Sequence, residues 1–454
     1  MARPTNPTQL PPEPATGGQQ ASAWAFALRA LRHRNYRLFF GGQSTSLIGT
    51  WMTRIATAWL VYRLTHSAFL LGFVGFCGQA PVMLLGPFAG VWVDRLDRHR
   101  TLVVTQVLSM IQSFWLAGLA LAHVITVGDI IALSLFQGAI NAFDMPARQA
   151  FVVQMVEDRA DLSNAIALNS SMVNGARLIG PSLAGIIIAA FGEGYCFLID
   201  GISYIAVIAS LLMMHIVVAQ PRARRTRVLH ELREGWQYVS SFTPIRSILL
   251  LLGLVSLVGL PYTVLMPIFA GSVLHGGAHT LGFLMGAAGV GALAGAFTLA
   301  TRRSVLGLGR LVMFMAIGFG AGLIGFASSR WLALSLPLIA VAGFCMMTQM
   351  AASNTILQTI VDEEKRGRVM SFYSMSLMGT APFGSLIAGA AAARIGAPRT
   401  LMIGGSICIL GGLWFYTQLP KIRAVVRPIY RKLGIIPEVA AGMQAASVAC
   451  PPEE

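Results

Sequence analysis

Between Ala68 and Arg100 the sequence reads AFLLGFVGFCGQAPVMLLGPFAGVWVDRLDRHR. No charged side chain interrupts it from Ala68 through Val93, and then Asp94, Arg95, Asp97, Arg98 and Arg100 arrive almost together. A helix rising about 1.5 Å per residue over such a run covers the roughly 30 Å of a bilayer's hydrocarbon core. The charged turn cannot follow it into that core, so the stretch reads as a membrane span over 68–92 closed by a tight polar loop.

The same apolar grain runs through the whole chain. Of 454 residues, 55% are hydrophobic and 11% charged, and the mean hydropathy is +0.68, far from the soluble average. Spans are expected over 38–62, 68–92, 102–122, 128–150, 165–190 and 195–217, then over 247–272, 279–300, 310–328, 331–352, 370–392 and 398–418. The net charge of +15 is spread in short clusters between these runs, without a basic domain, which excludes a nucleic-acid partner. Cys77, Cys196, Cys345, Cys408 and Cys450 have no paired metal-ligand spacing, so neither metal, cofactor nor disulfide is implied.

Arginine distribution sets the expected orientation. Arg29, Arg32, Arg34 and Arg37, then Arg95, Arg98 and Arg100, then Arg222, Arg224, Arg225 and Arg227 all fall on one side, later joined by Arg302, Arg303, Lys365, Arg366, Arg368, Lys421, Arg423 and Arg427. The opposite loops hold only Arg63, Arg330, Arg394 and Arg399. Both termini are therefore expected in the cytoplasm, in a multi-pass protein of the cell inner (plasma) membrane. Residues 1–37 read as a cytoplasmic tail with a juxtamembrane amphipathic segment and no apolar signal-peptide region, 38–217 as one six-helix bundle, 247–418 as a second, and 419–454 as a cytoplasmic tail. The connection over 218–246 contains Leu229 to Tyr238, whose polar and apolar residues alternate at helical spacing, and reads as an interfacial helix.

The two halves also echo each other. Leu71-Gly72-Phe73 recurs as Leu281-Gly282-Phe283, and Leu183-Ala184-Gly185 with Phe191-Gly192 recurs as Ile387-Ala388-Gly389 with Ile395-Gly396. Two six-span bundles related by a repeat imply an all-α membrane protein with a pseudo-two-fold axis and a substrate site between the bundles.

Residues Gly90 to Arg100 resemble the signature loop of the major facilitator superfamily. The resemblance implies that Gly90 permits close helix packing, that Asp94 faces the N-terminus of the eleventh span near Arg368 to Ser371, and that Arg95 and Arg98 pair with acids at neighbouring helix ends. Asp97 stands where that pattern usually has a second glycine. Gly175-Ala176-Arg177-Leu178-Ile179-Gly180-Pro181-Ser182-Leu183-Ala184-Gly185 is similar to the superfamily's exporter-associated motif, although small residues and Pro181 would also serve packing alone. Leu31 to Arg37, Leu64 to Ala68, Asp144 to Ala150 and Arg366 to Ser371 are similar to the enterobactin-exporter and macrolide-efflux branch, over about residues 28–418.

Charges inside spans are expensive and mark candidate functional positions. They are Arg54, Asp144, Arg177 and Asp200. Asp144 can pair with Arg148 one turn on or, as preferred here, close a latch with Arg98. Asp200 can pair structurally with Arg54 or carry a proton, and Arg177 has no evident acid partner. Gln43, Gln79, Gln137, Asn141, Asn174, Gln349 and Asn354 are polar candidates for a cavity or for helix-to-helix bonding. With no phosphate-binding motif or catalytic grouping, the expected function is a monomeric secondary transporter, not an enzyme. It would export a drug, siderophore or metabolite by alternating access as a proton antiporter in the lipid bilayer. The alternatives are a lipid or lysophospholipid translocator and a non-transporting membrane sensor.

Overall fold

A computed structural model describes residues 28–93, 95–156, 158, 161–214, 228–302 and 304–432. Asp94, much of the two expected tails and the start of the 218–246 connection lie outside the described residues. Regular structure among the described residues is helical throughout. The first six spans are α1 (Arg34–Thr65), α2 (Ala68–Val93), α3 (Arg98–Leu121), α4 (Val127–Met155), α5 (Leu162–Phe191) and α6 (Glu193–Leu212). A connecting helix, α7 (Val228–Ser241), precedes a broken span made of α8 (Thr243–Val258) and α9 (Tyr262–Ile268), the latter extended by a π turn over Phe269–Val273. Next come α10 (Ala278–Ala300), α11 (Leu308–Ser328) and α12 (Leu332–Ile360). A second interrupted span joins α13 (Glu363–Ser374) to α14 (Ala381–Ile395) through a π turn at Met375–Gly379, and α15 (Ala397–Lys432) ends the described chain.

Eleven of these spans are long and apolar enough to cross a membrane. The twelfth, α1, falls short because Arg54 and the polar run Gln43-Ser44-Thr45-Ser46 interrupt it. Large apolar residues such as Trp115, Phe297 and Phe314 are exposed on outer surfaces, as a lipid-facing belt requires. The last span is longer than expected, since α15 continues to Lys432 through Pro420 and Pro428 instead of giving way to a tail at 419.

In the first bundle, α1 packs on α5 and α6, α2 on α4, and α3 on α4 and α6. In the second, α12 packs on α10 and α11, and α15 on α8 and α11. The bundles meet chiefly through α5 against α10 and α2 against α14, the pairing that a two-fold axis between six-helix halves generates. Both contacts are glycine crossings. A Cβ on Gly185 would lie 2.9 Å from the Gly282 Cα, and one on Gly72 would lie 2.8 Å from the Gly389 Cα. The repeated glycines of the sequence are thus the residues that touch. In lipid, where burial of apolar surface drives little helix association, such close backbone approach supplies the van der Waals contact. A hydrogen bond between Tyr62 Oη and Ser272 Oγ, 2.6 Å, also crosses between the bundles at this end.

Gly192 and Gly396, at φ +93° and +86°, end α5 and α14 in the left-handed region that a side chain rarely adopts. At the other end the bundles part. The α5–α10 contact runs from Gly185–Gly282 through Ser182–Gly286 to Leu178–Gly289, whereas a Cβ on Gly175, Gly78, Gly86 or Gly90 would meet nothing within 4 Å. That open end carries α7, which is joined to α13 by Glu234–Arg368 at 2.7 Å and by Trp236 against Phe372. Lys365 lies 4.5 Å from the Tyr238 ring centroid, and burial, with Asp362 nearby, pushes the Tyr238 phenol up.

Valine at Gly185 or Gly389 is expected to overpack a crossing and cost about 1–3 kcal/mol, while Gly175→Ala, facing open space, should leave stability unchanged or slightly raised. Thermal unfolding followed with a thiol-reactive dye would read this, because Cys77, Cys196, Cys345 and Cys408 are free and buried. An equal response from all three variants would show that the crossings are not close contacts.

Candidate functional site

The exporter-like stretch of α5 acts on α1. A Cβ on Gly180 would lie 2.5 Å from the Trp51 Cβ and 3.0 Å from the Ile48 carbonyl oxygen, so only glycine lets Trp51 approach α5 this closely. Arg177, one turn before Gly180, places its guanidinium carbon 5.6 Å from the Trp51 ring centroid. Arg54, one turn after Trp51, places its own 4.9 Å from the same centroid. Two helices thus bring two cations onto one indole, within the range where the negative ring face attracts them. Among the described residues neither guanidinium has a carboxylate within 4.0 Å. Arg54 is exposed and Arg177 half-buried. Helix α1 is flanked by α5 and α6 of its own bundle and by α9 of the other, so Arg54 lies on a helix that borders both bundles. Tyr204 of α6 and Tyr262 of α9 lie close enough to feel these charges.

Asp200 does not pair with Arg54, contrary to the structural pairing considered from sequence. Its Oδ2 accepts hydrogen bonds from Thr53 Oγ1 at 2.8 Å and Ser113 Oγ at 2.9 Å, which fastens α6 to α1 and α3. The Asp144 latch to Arg98 is corrected as well. Asp144 Oδ1 accepts from Thr105 Oγ1 at 2.9 Å and Gln106 Nε2 at 2.8 Å, while its Oδ2 pairs with Arg148. The helical i, i+4 geometry puts Arg148 directly over the buried carboxylate, whereas Arg98 starts a different helix at the open end. Gln137 donates to Ser109 Oγ and Asn141 Oδ1, so this amide pair bonds α4 to α3. Gln43 is buried in α1, while Gln79 and Asn174 donate to carbonyls of their own helices. In the second bundle both amide atoms of Gln349 and the Ser353 hydroxyl are buried without a hydrogen-bond partner among the described residues. Asn354 accepts a bond from Gln358.

The signature turn is only partly described, since Asp94 lies outside the described residues. Gly90 does not support a close contact here, as a Cβ there would meet nothing within 4 Å. Asp97 replaces the usual glycine with a purpose of its own: it N-caps α3, accepting from the His99 and Arg100 backbone N–H groups. Arg95 is exposed and Arg98 half-buried. The eleventh span begins at Glu363, earlier than the Arg368 to Ser371 position inferred from the resemblance. Glu363 and Glu364 occupy its first turn, where carboxylates complement the helix dipole.

Of the exporter-like motif, Gly180 and Gly185 make close contacts and Gly175 does not. Pro181 lies within α5, and its carbonyl faces Gly282. Trp51, Thr53, Ser113, Tyr204 and Tyr262 were not singled out from the sequence. The available signal was spacing: Trp51 stands three residues before Arg54, and Arg177 three before Gly180.

Comparison with known proteins follows this geometry. Residues 22–434 match the profile of the family described as transmembrane secretion effector. The staphyloferrin A transporter of Staphylococcus aureus is 26% identical over 390 residues, covering 85% of this chain and 97% of that protein. The enterobactin exporter EntS of Shigella boydii is 24% identical over 397 residues, covering 86% and 94%. Among solved structures, a bacterial homologue of the human lysosomal transporter Spinster, inward-facing and unoccupied, aligns with a TM-score of 0.67 at 14% identity, covering 85% of this chain and 96% of that one.

Removing one partner of the Asp144–Arg148 pair should leave the other partly buried and alone. Asp144→Ala is expected to destabilise by about 2–3 kcal/mol, and the double variant Asp144→Leu with Arg148→Met to recover most of that. A double-mutant cycle from denaturant unfolding checks it, and additive effects of the two single changes would show that the pair is not coupled.

Proposed function

The chain belongs to the transmembrane secretion effector family of major facilitators, and from that premise we propose that it exports a small organic molecule by alternating access, driven by proton antiport. It is a multi-pass membrane transporter rather than an enzyme. The observation that carries the export cycle is the asymmetry of the cleft. The bundles are joined at the end holding Gly72, Gly185, Gly282 and Gly389 and parted at the end holding α7. The arginine bias supports a cytoplasmic position for the parted end, in what we take to be the plasma (inner) membrane, and this arrangement would load cargo from inside.

The gate follows from the same geometry. In the outward-open state the α2–α3 turn with Asp94, Arg95 and Arg98 closes against α13, whose Arg368 is held here by Glu234. Asp200 is the better proton carrier. It is buried, and its hydrogen bonds come from hydroxyl groups, so it can gain or lose a proton without breaking an ion pair. Asp144 would have to release Arg148 first. The names of the relatives place siderophores and drugs among the cargo to try. The working unit is taken as a monomer, with 1–37 and the segment after α15 on the cytoplasmic side.

Efflux from cells loaded with dyes, macrolides and siderophores, with and without a protonophore, tests the proposal. Protonophore-sensitive export is expected, nearly abolished by Asp94→Asn and uncoupled from pH by Asp200→Asn, with both variants still inserted in the membrane. Export that continues unchanged after the proton gradient is collapsed would remove antiport, and normal export by Asp94→Asn would remove the gate.

A further inference from the structure

Arg54 and Arg177 stand out from Glu193, Asp144 and Asp200, acids within or at the ends of the first bundle's spans. Glu193 is paired with Arg63, Asp144 with Arg148, and Asp200 is held by two hydroxyls. The two arginines flank Trp51 without a carboxylate among the described residues. Two like charges at one ring repel each other, and their position within membrane spans makes each more costly still. The indole offsets only part of this. Their place also matters: Arg177 lies beside Leu178, where the contact between α5 and α10 ends, and Gly175 below it faces open space. The uncompensated positive charge therefore sits at the closed apex of a cleft that opens at the α7 end.

We propose that Arg54 and Arg177, held together by Trp51, form an oxyanion seat whose ligand is an organic molecule carrying at least two negative charges on carboxylate or phosphate oxygens. This rests on reading the cleft as the transport path and adds the charge class of the cargo. Guanidinium forks suit such groups because each can donate two parallel N–H bonds to a carboxylate or phosphate. A bound dianion would supply the countercharge that no described carboxylate provides. Gly180 acts as a positioning residue, since it admits Trp51 and thereby fixes the separation of the two cations.

The test is equilibrium binding to the full-length protein in nanodiscs, using citrate as a soluble tricarboxylate, lysophosphatidate as a phosphate-bearing lipid and tetraphenylphosphonium as a cation. The expected result is binding of an anion in preference to the cation. Arg54→Gln and Arg177→Gln should each weaken it by about tenfold or more, the loss of a charge-assisted contact, with partial retention in Arg177→Lys. Unfolding transitions matching the parent's would separate lost binding from lost folding, and the Arg54→Glu, Arg177→Glu double variant should reverse the preference toward tetraphenylphosphonium. Binding of citrate alone would identify a soluble acid, and binding of lysophosphatidate alone a lipid headgroup. Failure of both anions to bind, anion binding indifferent to the glutamine variants, or a parent that prefers the cation would each overturn the seat. Arginine-dependent anion binding without cellular efflux would sink the exporter reading and leave the seat standing.

Discussion

Two glycine crossings join the halves, Gly72 on Gly389 and Gly185 on Gly282. Everything else about the cleft depends on them. Side chains at these points would hold the helices apart and remove the dispersion contact that substitutes, in lipid, for hydrophobic association. Because glycine has no side chain to interdigitate, such a joint also resists tilting less than a ridge-in-groove contact. Within the second bundle glycine does different work: Gly291 meets the Ala340 backbone and Gly343 the Ala288 backbone, locking α10 to α12 along adjacent turns. One residue type thus makes a stiff seam inside a bundle and a smooth joint between bundles.

The next constraint is charge. A carboxylate or guanidinium in a span costs about 2.5 kcal/mol or more unless it finds a partner or water. Asp144 solves this with an ion pair and two further donors, and Asp200 with two hydroxyls. These arrangements also tie α4 to α3 and α6 to α1 and α3, so they hold the first bundle together as they neutralise it. Among the described residues Arg54 and Arg177 contribute no such ties. Their guanidiniums both meet the Trp51 ring, an arrangement suited to a ligand that comes and goes.

Much of this fold was legible because lipid imposes strong rules. Twelve helical spans, eleven of them apolar enough to cross a membrane, appear near their expected places, and the repeated Leu-Gly-Phe and Ala-Gly segments are the crossing points themselves. What could not be read was partner choice among polar groups. Asp144 had two arginines in plausible reach, and helical spacing favoured Arg148. Asp200 lay at a depth similar to Arg54, but depth carries no azimuth, and the carboxylate turns toward Thr53 and Ser113 instead. Trp51 escaped notice because an aromatic residue in an apolar helix is ordinary until Gly180 brings α5 against it. The helix ends were legible only to within a few residues: α13 starts at Glu363 because Glu363 and Glu364 suit a first turn, a signal available in the sequence but overridden by the motif's usual register.

The two halves divide their labour unequally despite the repeat. The candidate intramembrane charges Arg54, Asp144, Arg177 and Asp200 are all in the first bundle, whereas the interrupted spans are both in the second. The break between α8 and α9 falls at Gly259 to Pro261, and the π turn between α13 and α14 leaves the Leu377 carbonyl to accept from Ser256 Oγ at 2.5 Å. Irregular backbone at membrane depth is tolerated where protein satisfies its polar groups, and this bond does so between the two broken spans. On the transport reading, α13 is also the segment that α7 grips through Arg368 and Phe372. A movement of α13 can then be absorbed at the π turn below α14, leaving the Gly72–Gly389 joint undisturbed, while the first bundle keeps its charges at fixed separation. Ligand chemistry and compliance are thereby placed in different halves, and a gate can move without altering the geometry that would recognise the cargo.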